Sequence, residues 1–178
     1  MKNESKKRLK NLYLTEHYKR FPNFPSYAKT TPPYTDKTAN GLTRMINDWL
    51  NLSGWQSERI SNTGRFIDNR KIVTDCVGRQ RMIGSSRWIP GTGTNGTADI
   101  SATVAGHSVK IEVKIGRDRQ SEAQKEYQRK IEAVGGKYVI AHTFEGFLDW
   151  YDGFLYWESD LWNASLYESH IKKGGEPW

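Results

Sequence analysis

The chain has 178 residues and carries 27 Lys/Arg against 20 Asp/Glu, a formal net charge of +7. That length gives room for one packed domain with extensions, and the positive balance favours a polyanionic partner. A single cysteine, Cys76, excludes an intramolecular disulfide and fits a reducing compartment, while one cysteine with four scattered histidines excludes a zinc cluster.

Charge and texture vary along the chain. Residues 1–36 hold eight Lys/Arg and three acids. They begin with a short basic helix over 6–18 and turn Pro-rich around Pro22, Pro25, Pro32 and Pro33, which reads as an extended arm or linker. A basic solvated tail without a partner is the plainer reading of that stretch. A helix is predicted over 41–52, with Leu42, Met45, Ile46, Trp49 and Leu50 along one face. A strand over 55–60 and a turn at 61–64 follow. From 65 to 95, strand-like pieces are broken by Gly78, Gly84, Pro90, Gly91 and Gly93, and read as a basic hairpin with a Gly/Thr-rich loop behind it. Arg59, Arg65, Arg79, Arg81 and Arg87 are each, singly, ordinary surface arginines; collectively they are the best phosphate-contact set in the chain.

Two alternating runs come next. Ala98, Ile100, Ala102 and Val104 alternate with Asp99, Ser101 and Thr103; after Gly106-His107, Val109, Ile111, Val113 and Ile115 alternate with Lys110, Glu112 and Lys114. Period-two alternation around a glycine-containing turn predicts an antiparallel hairpin. A turn centred between Ala105 and Gly106 sets Asp99 opposite Glu112, and one centred between Gly106 and His107 sets it opposite Lys114. Either way the three share the polar face. Two carboxylates that close repel unless a cation lies between them, so the residues point to a Mg²⁺ site with an ammonium beside it. The bland alternative is a surface ion pair on an exposed strand.

A helix over 121–134 with Ala123, Tyr127, Ile131 and Val134 along one line, capped by Gly135, leads into a last core strand over 137–142. From Phe144 the text is aromatic and acidic, with seven acids against two lysines in 141–178. Its sign opposes nucleic acid, so its rings are read as packing, either onto the chain's own sheet or across a homodimer formed by Phe147, Trp150, Phe154 and Trp157. No apolar run approaches the length of a membrane span and the first residues lack an apolar signal core, so no membrane partner is expected.

Gly96-Thr97-Ala98-Asp99, Ile111-Glu112-Val113-Lys114, Ser121-Glu122-Ala123-Gln124 and the strand from Gly135 to Ile140, in that order, resemble the motifs of the VRR-NUC (virus-type replication-repair nuclease) family of the PD-(D/E)xK superfamily. The resemblance spans roughly 38–150, with 38–43 and 59–65 matching the family's opening helix and first strand. It implies a restriction-endonuclease-like α/β core, a mixed sheet of about four strands flanked by helices, as a nuclease domain over 37–150 between a basic extension (1–36) and an aromatic acidic one (151–178). It implies a Mg²⁺-dependent endonuclease acting on DNA, structured or branched, with Mn²⁺ able to substitute, working in the cytoplasm (of a host cell, if phage-encoded). Asp99 and Glu112 become metal ligands, Lys114 the charge neighbour of the nucleophile, and Gln124 the glutamine opening the following helix. Ala98 stands where the signature has proline. The acid many members carry in the first helix is missing, and Asn40 falls near its place.

Two residues carry competing readings. Ser121-Glu122-Ala123-Gln124 also fits a capping box, which would account for Gln124 without chemistry. Asn40 also fits a helix N-cap. The Val113 carbonyl is a further oxygen ligand candidate; Lys114 would orient or polarise the water and offset phosphate charge, and whether a dication beside it would lower its ammonium to a base is open in the sequence. The competing function is a nucleic-acid-binding module on a nuclease-like scaffold whose catalysis is weak or lost.

Overall fold

In the computed structural model the described residues are 2–61, 64–91 and 93–172, with the side chains of 2, 3 and 160–172 left aside. Asn62 and Thr63 of the turn at 61–64, Thr92 of the Gly/Thr-rich loop, and the rings of Trp162 and Tyr167 lie outside the described residues.

Helix α1 (Lys2–Arg20) leads through the Pro-rich stretch to α2 (Ala39–Leu52) and β1 (Gln56–Arg59). Four short strands follow: β2 (Arg65–Asp68), β3 (Lys71–Thr74), β4 (Gln80–Ile83) and β5 (Ser86–Ile89). The hairpin β6 (Ile100–Val104) and β7 (His107–Val113), helix α3 (Glu122–Ala133), strand β8 (Lys137–Ala141) and helix α4 (Phe144–Lys172) complete the chain. The central sheet has the order β1-β6-β7-β8, antiparallel except for the parallel β7–β8 pair. The fold is mixed α/β, with a four-stranded mixed sheet flanked by helices, as expected.

Local chemistry fixes each boundary. Thr38 caps α2, its Oγ1 accepting from the Gly41 N–H at 3.1 Å, and Leu42, Met45, Ile46, Trp49 and Leu50 are all buried. The β6–β7 loop is the two residues Ala105 (φ 49°) and Gly106 (φ 81°), the pair of left-handed conformations that a type I′ hairpin turn demands. That turn selects one of the two registers: Ile100 pairs with Ile111, which sets Asp99 opposite Glu112. Ile100, Ala102, Val104, Val109, Ile111 and Val113 then form one buried face, joined by Val139 and Ala141 of β8. Helices α2 and α4 pack on this sheet. Helix α3 packs against β8, and the Tyr127 and Tyr138 rings meet edge to face.

Two expectations about the termini change. The N-terminal helix is longer than 6–18, and Leu9 is fully buried in the core beside α2 and α4, so α1 is part of the packed body while the Pro-rich stretch after it stays mostly exposed. At the other end, α4 runs unbroken across the 150/151 boundary, and Phe144, Phe147, Leu148 and Tyr151, spaced as one helical stripe, are buried in the same core. Phe147 is therefore consumed within the chain and is unavailable to the dimer surface drawn from it; Trp157 is exposed, while Trp150 and Phe154 stack on each other and are partly buried. No helix among the described residues is long and apolar enough to cross a membrane.

Candidate functional site

The polar end of the β6–β7 hairpin collects the charged residues. Asp99, just before β6, is anchored by its carbonyl, which accepts from the Ile60 N–H at 2.8 Å, and its Oδ2 accepts from the Val113 N–H at 2.9 Å. Glu112, directly across the hairpin, is 2% exposed, and Lys114 is 6% exposed. The Lys114 ammonium lies 3.0 Å from Glu112 Oε1 and 3.4 Å from Asp118 Oδ2.

The Gln124 amide closes the cluster. Its Nε2 donates to Glu112 Oε1, while its Oε1 accepts from Lys114 Nζ at 3.1 Å and from the Ser121 N–H at 2.9 Å. The Ser121 hydroxyl in turn accepts from the Gln124 N–H, so the capping box is complete. The capping reading holds, and the same side chain also ties the helix to the Glu112–Lys114 pair.

Electrostatics follow from this packing. Burial pushes the Glu112 carboxyl up; the Lys114 contact pulls it down, and Asp99 opposite pushes it up again, for a net rise. Burial acts to lower the Lys114 ammonium, but Glu112 and Asp118 outweigh it and the net direction is up. Without a dication beside it, the two carboxylates hold the proton on Lys114.

Three contributors were missed by the sequence reading. Tyr138 of β8 donates to Glu112 Oε2 at 3.5 Å, and burial, then Glu112, push its phenol well above the ordinary range. Asp118 touches Lys114, and the His142 ring bonds the Lys114 carbonyl at 3.1 Å. Alternation within 137–142 was the available signal for Tyr138. The parallel pairing that sets Lys110 beside Tyr138 and Glu112 beside Ile140 was not deducible from local pattern. Gly96, which opens the motif ending in Asp99, has φ 78° and its backbone lies against α3, where a Cβ would meet the Ala123 carbonyl oxygen at 2.3 Å. This close approach seats the loop entering Asp99 on the same helix end that carries Gln124.

Asn40 does not cap α2. Thr38 is the cap, and Asn40 Oδ1 accepts from Arg59 at 2.6 Å, so the two residues satisfy each other. Arg65, Arg79, Arg81 and Arg87 stand on or beside β2–β5, and no hydrogen bond or ion pair among the described residues joins them to Asp99, Glu112, Lys114 or Gln124. A cleft of about 310 Å³ opens beside Lys114, lined also by Arg119, Lys125 and His142; another of about 430 Å³ lies against Gln124 and the loop at Gly96. The largest concavity, about 640 Å³ and lined by Tyr13, His17, Phe21 and Leu52, shares no residue with the cluster. Glu16, Lys19 and Arg20 also line it.

No group of three or more His, Cys, Asp or Glu side chains is placed to hold a metal ion among the described residues. What the site offers is two opposed carboxylates and one peptide edge. Comparison of the chain with family models, with curated proteins and with solved structures finds no match in any of the three.

Proposed function

We propose that this protein is a Mg²⁺-dependent endonuclease that hydrolyses phosphodiester bonds in DNA on a restriction-endonuclease-like core. The observation that carries the reading is the register: Asp99 faces Glu112 across the hairpin, the Glu112 carboxyl is pushed up by burial and again by Asp99, and the cationic partner in contact with Glu112 is Lys114. Lys114 relieves Glu112 on one side, and a further cation between Glu112 and Asp99 would relieve the repulsion that remains between the two carboxylates, which supports a cation-binding role.

The donor set suits the ion. Asp99 and Glu112 would hold it, and the Val113 peptide, whose N–H already turns to Asp99, would add its carbonyl, since the N–H and C=O of one strand residue leave on the same side. Two carboxylates and a carbonyl leave room for several waters, the habit of Mg²⁺, with Mn²⁺ as substitute. When bound, such an ion supplies a Lewis acid and a water of lowered pKa. The chain's own residues do the rest. Lys114, in contact with Glu112 and Asp118, orients a water and offsets phosphate charge. Gln124 fixes the Glu112 and Lys114 side chains relative to each other and to the end of α3.

A second reading has one observation in its favour: the first helix offers Asn40, already bound to Arg59, where a further carboxylate would strengthen the site. It makes the protein a nucleic-acid-binding module with weak or absent catalysis. Linear, flapped and branched DNA incubated with Mg²⁺, Mn²⁺ or EDTA separates the two. Cleavage is expected only with metal, and Glu112→Gln and Asp99→Asn are expected to abolish it, by about 1,000-fold or more, with folding and DNA binding retained. Cleavage by Glu112→Gln at the rate of the unaltered protein would overturn the assignment.

A further inference from the structure

Strands β2 to β5 form one object. Arg65 pairs with Ile89 and Lys71 with Ile83, and both ladders keep the same register. They are a single antiparallel hairpin, interrupted at Asn69–Arg70 and Gly84–Ser85, where the Asn69 N–H still donates to the Ser85 carbonyl at 3.0 Å. Its tip closes at Asp75, whose N–H donates to the Arg79 carbonyl at 2.9 Å. None of the four strands packs substantially on the sheet or the helices, and nearly every residue from 65 to 88 is exposed. From Arg65 to Asp75 the ribbon reaches about 33 Å at the usual strand rise, close to one turn of B-form DNA, about 34–36 Å.

The register sorts its side chains. Directly opposite residues share a face, and faces alternate along each strand. One face carries Arg65, Arg87, Lys71 and Arg81, each directly across from a β-branched residue: Ile89, Ile67, Ile83 and Val73. The other face sets Phe66 against Trp88 and Ile72 against Met82, and its one cation, Arg70, is bound to Asp68 at 2.7 and 2.9 Å. Among the described residues Arg65, Lys71 and Arg87 have no acidic partner, and Arg81 has only Asp75 at 3.5 Å. Residues 65–89 hold six Lys/Arg against two acids, a net +4.

We propose that residues 65–89 are an arm that lies lengthwise in the major groove of duplex DNA, its Arg/Lys face toward the duplex, extending the footprint by about one helical turn. This rests on the reading of DNA as the partner. The groove, about 12 Å wide, admits a two-stranded ribbon. Cations repeating along the strand suit the phosphate walls, and the β-branched residues between them suit base methyl groups. The deep, narrow major groove of A-form RNA does not admit such an arm.

The test measures binding alone, in EDTA, on the full chain carrying Glu112→Gln, so that cleavage plays no part. Duplexes of about 12 and about 30 base pairs are titrated by fluorescence anisotropy across a salt series, with an RNA duplex of the same sequence. Replacing the basic face (Arg65→Ser, Lys71→Ser, Arg81→Ser, Arg87→Ser) is expected to weaken binding of the longer duplex about 100-fold and lower the salt slope by about 3 to 4. Replacing the apolar face (Phe66→Ser, Ile72→Ser, Met82→Ser, Trp88→Ser) is expected to change affinity less than about 3-fold. The unaltered arm should prefer the longer DNA duplex to the shorter one and to the RNA duplex by about 10-fold. Equal loss from both faces, less than about 3-fold loss from the basic face, or equal affinity for RNA overturns the arm. Should the basic-face variant misfold, excision of 66–88 with a Gly-Ser-Gly bridge must give the same loss. A positive result here with no metal-dependent cleavage by the unaltered protein removes the nuclease reading and leaves the arm standing.

Discussion

The central sheet and the ribbon are built from the same text, short strands of alternating apolar and polar residues in antiparallel register, and they end in opposite conditions. In the sheet, Ile111 is fully buried on the strand that α2 covers; in the ribbon, Ile72 is 65% exposed on a face that nothing described covers. Alternation specifies which residues share a face, but only a partner layer turns that face into core. The sheet has its layers and the ribbon does not, so in the sheet the pattern sets stability and in the ribbon it sets surface chemistry.

The widest contrast comes from one residue type in both places. Ile111→Ala is expected to lower stability by about 2–5 kcal/mol, because the deleted methyl groups leave a cavity in a packed interior. Ile72→Ala should stay within about 0.5 kcal/mol. Chemical denaturation measures both. Comparable losses at the two sites would mean that the ribbon is covered in solution.

Next in size is the polar end of the sheet. Lys114→Ala leaves Glu112 buried without its cation, and a loss of about 3 kcal/mol at neutral pH is expected in metal-free buffer. The sign with pH follows from the direction of the Glu112 shift. Its folded value is already above the ordinary 4.5 and rises further without Lys114, so the folded state then holds a proton more tightly than the unfolded one. The penalty is fully present above the folded value and fades as pH falls through it toward 4.5. Thermal melts of the variant and the unaltered protein should therefore converge on going from about pH 8 to about pH 5. A gap that widens on acidification would show that the lost stability belongs to packing and not to charge. Cleavage should be lost in the same variant with metal affinity largely kept.

Much of the fold and of the site is legible in the amino-acid sequence alone. The α2 stripe, the β6–β7 alternation, the box at Ser121 and Gln124 and the left-handed Gly135 after α3 are local patterns, and local patterns survive folding. The hairpin register was open in the sequence because Ala105 at φ 49° is an uncommon choice for a type I′ turn, and only the folded loop selects it. Tyr138, Asp118 and His142 join the site through contacts that no local pattern announces. The basic hairpin is read from the sequence and is present, although Gly84 within it reads as a break. At φ 92°, with an added Cβ 2.2 Å from the Asn69 carbonyl oxygen, it is instead the close approach that lets the two ladders stay in register. Helix α1 read as a tail because its basic composition gives no strong apolar stripe; one fully buried residue, Leu9, ties it in.

The smallest effect separates the two roles of Gln124, which sequence could not. Ser121→Ala removes the hydroxyl that accepts from the Gln124 N–H and leaves the amide's reach to Glu112 and Lys114 intact. It should cost about 1 kcal/mol and leave cleavage unchanged. Gln124→Ala removes the side-chain half of the same box and should cost about the same stability, but it also frees Glu112 and Lys114 from the helix, so cleavage should fall by about 10- to 100-fold. Helix stability by thermal melt and single-turnover cleavage on the same preparations give both numbers. If Ser121→Ala slows cleavage as much as Gln124→Ala, the amide matters only because it holds α3 in place, and the link from the helix end to the sheet's charged pair is structural.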